Sequence, residues 1–197
     1  MKKVFIPLLT ILAFLLIPQI ASAHAPIKGI NNFYNGIIHP LVVPAHLLGI
    51  IALGLLTGQQ SKNITLAPRF FMGAILAGLL ILSIGFNHDT ETLVMLTGLT
   101  AALITVISPK LKTILLALIA ILIGFFTGLD SSPESLTGQD LFMSLGGTFL
   151  GASLTLFYIS LLVSKAKRKW QQIGIRVTAS WVFASILLVM TLNLVKQ

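Results

Sequence analysis

The chain reads as a series of long apolar runs separated by brief polar breaks, with no sustained alternation of the kind a half-buried strand shows. The first run, residues 4–16, follows Lys2 and Lys3 and is succeeded by Ala21-Ser22-Ala23, which places small residues at both positions of an A-x-A cleavage site. Residues 1–23 are therefore expected to be a secretory signal peptide; the other reading is a first transmembrane helix that is kept. Six further apolar runs follow at 40–58, 70–86, 92–107, 111–129, 141–163 and 174–195. Each is close to the ~20 residues that a helix needs to cross a bilayer. The pattern predicts an all-α, polytopic membrane helical bundle, with six transmembrane helices in a single domain over residues 24–197. Within the fifth run, Gly147-Thr148-Phe149-Leu150-Gly151 is a small-xxx-small pattern that lets a neighbouring helix approach closely.

Composition agrees, since 56% of the residues are hydrophobic and only 9% are charged, against roughly a quarter charged in soluble domains. The absence of cysteine excludes disulfides, thiolate metal sites and cysteine nucleophiles. A net charge of +8 would suit nucleic acid as a partner, but the placement of the charges points elsewhere. With the mature N-terminus outside, Lys62, Arg69, Lys110, Lys112, Lys165, Lys167, Arg168, Lys169 and Arg176 all fall in inner loops. Only Lys28 and Lys196 remain outside, as the positive-inside rule requires. Both termini of the mature chain are then expected on the periplasmic side of a bacterial inner membrane. The cluster at 165–169 suits the anionic headgroups of the lipid bilayer, and no nucleic acid is expected.

The same orientation collects every carboxylate (Asp89, Glu91, Asp130, Glu134, Asp140) and every histidine (His24, His39, His46, His88) on the outer side. Imidazole and carboxylate together are ligands for divalent transition metals. Positive-inside sorting explains the acids by default but gives no reason for the histidines. His39 and His46 frame the start of the first mature helix, and an ionisable group at membrane depth is costly enough to be read as functional. Seven residues apart on one helix, the two would stand ~10.5 Å apart along the axis, as successive stations rather than as a clamp on one ion. Pro40 suits a first helical position, and Pro44 must kink the helix or restart it. Alternatively, His46 simply donates to a neighbouring helix and Pro44 only sets a bend. If cleavage follows Ala23, His24 becomes the N-terminus, and its amine and imidazole can chelate a metal together. His88-Asp89-Thr90-Glu91 is a further ligand cluster, in which Glu91 also fits an N-terminal position of the next helix. Asp130 ends the fourth run, as a ligand or as an ordinary turn residue. No H-E-x-x-H or nucleotide-binding pattern is present, so neither an enzyme nor a covalent cofactor is expected.

The layout and the first-helix residues resemble the HupE/UreJ family, membrane proteins tied to hydrogenase and urease maturation and regarded as nickel permeases. The family pattern runs His-Pro-x-x-x-x-Asp-His with Gly-Leu downstream; His39-Pro40, His46 and Gly54-Leu55 match it, while Ala45 stands at the acidic position. Glu91-Thr92-Leu93-Val94-Met95-Leu96-Thr97-Gly98 is similar to a second family feature, which implies a ligand role for Glu91. Where the family carries a His-Gly-His-type cluster, this chain has Phe126-Thr127-Gly128-Leu129-Asp130, leaving Asp130 and Glu134 as substitutes. Phe157 and Tyr158 stand near the place of a later family histidine. The resemblance implies a divergent metal permease with nickel as the favoured cargo, copper and zinc also suiting imidazole ligands. The alternative is a non-transporting accessory that holds a metal or an assembly partner for metalloenzyme maturation proteins.

Overall fold

Pro44 decides how the chain enters the bundle. The computed structural model describes residues 29–60, 64–85, 89–133 and 136–195. Its first helix, α1 (Asn32–Val42), meets the second, α2 (Pro44–Gln59), at a bend of 70°. Asn31 opens α1, its side-chain oxygen accepting from the Phe33 N–H at 2.9 Å. Val43 is extended, and Pro44 then occupies the first turn of α2, where its missing N–H costs nothing. The Leu47 N–H donates to the Val43 carbonyl at 3.0 Å, so α2 begins a fresh ladder. Two expectations are corrected here. The first helix starts at Asn32, capped by Asn31, and not with the apolar run at residue 40, and Pro40 lies inside α1 rather than at a helix start. The restart at Pro44 is as the sequence allowed.

Five more helices follow: α3 (Leu66–Ser83), α4 (Glu91–Ile107), α5 (Thr113–Leu129), α6 (Gly138–Ser164) and α7 (Lys169–Val195). The described residues are all-α, with seven helices and no strand. Helices α3, α6 and α7 are each long and apolar enough to cross a membrane alone, and the bent pair α1–α2 makes a fourth such unit. Helices α4 and α5 are apolar and 17 residues long, a rise of about 25 Å that sits at the short end of the spanning range. The leader expected at 1–23 lies outside the described residues.

Glycine sets the close approaches. Helices α3 and α5 run parallel with their backbones in contact: a Cβ on Gly128 would meet the Ile75 carbonyl oxygen at 2.5 Å and the Gly78 Cα at 3.0 Å. The pair Gly147 and Gly151 admits α1, whose Phe33 and Ile37 carbonyls lie where Cβ atoms would be. Helix α2 is the centre, with eleven of its sixteen residues buried. Gly49 meets Val94 and Gly98 of α4, while Gly54 and Gly58 receive Ile159 and Val163 of α6. Helix α7 runs antiparallel to α4, joined to it by Arg176 Nε donating to the Val106 carbonyl at 2.7 Å and by Asn193 near Glu91. Helices α2, α4 and α6 thus point one way and α3, α5 and α7 the other. One end of the bundle gathers His39, His46, Asp89, Glu91, Asp130 and Asp140; the other gathers Lys110, Lys112, Lys165, Lys167, Arg168, Lys169 and Arg176.

The glycine contacts make a direct comparison available. Gly128→Ala should lower stability by about 1–3 kcal/mol, because the obstructing atoms are backbone and cannot rotate away. Gly73→Ala, with nothing within 4 Å of its added Cβ, should be neutral or slightly stabilising from helix propensity alone. Thermal unfolding of the two variants in detergent checks this, and equal behaviour would contradict the packing described.

Candidate functional site

The 70° bend at Val43 turns α1 aside from the axis of α2, and the two histidines stand ring against ring across it. Their centroids are 5.3 Å apart with the planes at 63°. The expectation of two stations a helical rise apart is therefore corrected: it took the axial rise of one straight helix, and the 70° bend shortens that separation. His46 is fully buried and His39 half-buried.

His46 Nε2 lies 2.9 Å from Asp130 Oδ2. An ionised carboxylate only accepts, so the imidazole donates from Nε2 and, when neutral, keeps its lone pair on Nδ1. That Nδ1 is buried without a hydrogen-bond partner, which costs about 1–3 kcal/mol if nothing ever occupies it. Asp130 is itself buried, directly after the last residue of α5, and its Oδ1 accepts the Thr90 N–H at 3.0 Å. The Thr90 hydroxyl donates to the Phe126 carbonyl at 3.1 Å, which fastens the start of α4 to the end of α5. The C-terminal dipole of α5 disfavours a carboxylate, and the N-terminus of α4 compensates for it. Asp130 is thus a keystone among α2, α4 and α5.

Glu91 does not join this group. Its Oε1 accepts from Asn193 Nδ2 at 3.1 Å, which turns it toward α7, while Asp89 Oδ1 accepts the Glu91 N–H at 3.1 Å and caps the helix. The structure therefore brings together His39, His46 and Asp130 and leaves Glu91 aside. Among the described residues no three His, Asp or Glu side chains are grouped so as to hold a metal ion. His24, His88 and Glu134 lie outside the described residues. Sequence reasoning missed Asn193, whose signal was a lone amide between Leu192 and Leu194, and it gave Thr90 no part in holding Asp130.

Chemically, a carboxylate holding one nitrogen of an imidazole whose other nitrogen is open is the arrangement that orients histidine toward a metal and raises its basicity. A metal ~2 Å from one nitrogen of each ring sets the ring centres roughly 5 Å apart at a tetrahedral angle. The observed ring separation of 5.3 Å fits an ion shared by His39 and His46.

The profile of the HupE / UreJ protein family matches residues 12–190, and the chain belongs to that family. Searches of curated proteins and of solved structures returned no match. Membership fits an accessory role in metal handling at a membrane.

The buried pair should show strong coupling. Asp130→Ala should cost about 3 kcal/mol, since it orphans His46 and the Thr90 N–H together. Adding His46→Ala should cost less than the sum of the two single changes, by roughly 1–3 kcal/mol. Denaturant titration of the four proteins in a double-mutant cycle checks this, and simple additivity would contradict it.

Proposed function

We propose that this membrane protein is a permease for a divalent transition metal, nickel being favoured by family, which admits the ion from the periplasmic side of a bacterial inner membrane. The observation that carries the reading is the buried, unpartnered Nδ1 of His46, held by Asp130 and faced by the His39 ring. Half-buried His39 meets the ion first, and enclosed His46 then completes the pair that holds it. The ion sheds part of its hydration for two imidazoles, and the Asp130 carboxylate offsets its charge through the His46 ring. Two protein ligands bind weakly enough for release, which a transported ion requires. His24, His88 and Glu134 are proposed as ligands at the outer mouth. Ala45 is fully buried where the family pattern has an acid; in this reading Asp130 supplies that carboxylate from another helix. The charge sorting supports the orientation, with basic residues at the inner end and both termini of the mature chain outside. Residues 1–23 are proposed as a cleaved signal peptide.

The complete burial of His46 also favours a second reading, in which the protein holds a metal for hydrogenase or urease maturation proteins without passing it on. Flux into proteoliposomes separates the two. The permease reading expects nickel entry that is lost in His39→Ala and His46→Ala and lowered ~10–100-fold in Asp130→Asn, where the orienting carboxylate is gone. Entry unaffected by all three changes would sink it, and stoichiometric binding without entry would establish the holding role.

A further inference from the structure

At the basic end of the bundle, between the ends of α2, α6 and α7, lies a cavity of about 860 Å³. Lys167, Lys169 and Arg176 line it, together with the polar Ser164 and Gln172, and among the described residues no carboxylate does. Ile64, Val163, Ile173 and Ile175 make the apolar part of its wall, and Gln59 and Ser108 are polar as well. Cations around one open cleft repel one another and a bare divalent ion alike, so an anion is the occupant that their charge calls for. Arg176 commits its Nε to the Val106 carbonyl at 2.7 Å, which fixes the guanidinium while its other nitrogens remain for a phosphate. Half-apolar walls beside the cations select an amphiphile over a fully hydrated ion. The depth agrees: Trp170 follows Lys169 directly and is 66% exposed, and tryptophan beside lysine marks headgroup level.

We infer that this cavity binds the phosphodiester headgroup of an anionic phospholipid, with Lys167, Lys169 and Arg176 as its partners and the isoleucines against its upper acyl chains. The bound lipid braces α7, whose apolar span is only 17% buried, to the ends of α2 and α6. The site lies at the opposite end of the bundle from His46, so it stands or falls apart from the metal reading.

The experiment uses the purified full-length chain in nanodiscs of phosphatidylcholine with and without phosphatidylglycerol, read by native mass spectrometry after release and by thermal unfolding. The expected result is a retained phosphatidylglycerol and a higher unfolding temperature in its presence. Lys167→Gln with Lys169→Gln, both at exposed positions, should weaken retention ~30-fold, the contribution of two basic side chains near an anionic surface. Nickel binding should be unchanged in that variant. Equal retention of the two lipids, or retention unaffected by the double substitution, would overturn the inference. Stabilisation by inorganic phosphate alone in lipid-free detergent, equal to that by phosphatidylglycerol, would overturn the lipid as the occupant and assign the cavity to soluble phosphate.

Discussion

A single buried pair, His46 with Asp130, holds the site end of this molecule together. Desolvating an imidazole and a carboxylate is costly, and the cost is recovered only where geometry and further hydrogen bonds are good. Here Asp130 satisfies both oxygens, one on His46 at 2.9 Å and one on the Thr90 N–H at 3.0 Å. The pair thereby ties α2 to α5 and, through Thr90, to α4. It also determines which nitrogen of His46 remains open, and that nitrogen is the chemical feature on which the functional reading depends.

The bend between α1 and α2 is the second constraint. Without Pro44 the chain would continue as one helix and its two histidines would stand a full two turns apart. With it, α1 folds across α6, where Gly36, Gly147 and Gly151 permit backbone contact. The glycines and Pro44 therefore act jointly: Pro44 breaks the helix, and the glycines give the broken piece somewhere to lie. The opposed ends of the bundle then carry opposite chemistry, with acids and imidazoles at one end and lysine and arginine at the other.

Much of this was legible from residues alone. Long apolar runs specify an all-α membrane bundle because backbone groups in hydrocarbon must pair within the helix. The family showed in His39-Pro40 and His46, and the break at Pro44 follows from proline having no N–H. The size and direction of the bend were not legible, because a break leaves them to the packing of α1 on Gly147 and Gly151. Nor was the choice between Glu91 and Asp130. Both are carboxylates at helix ends on the same side, and only the neighbours decide: Asn193 takes Glu91, and His46 takes Asp130. Nor was the start of α1 legible, because Asn31, Asn32, Asn35 and Gly36 are poor helix formers and hide the cap that Asn31 provides.

The central claim is that the bend and the Asp130 contact make His39 and His46 two ligands of one ion. X-ray absorption spectroscopy of the purified, nickel-loaded protein tests it most directly. The account predicts imidazole scattering from two histidines, falling by one in His39→Ala and by one in His46→Ala. A coordination shell that keeps the same imidazole scattering in both variants would contradict it.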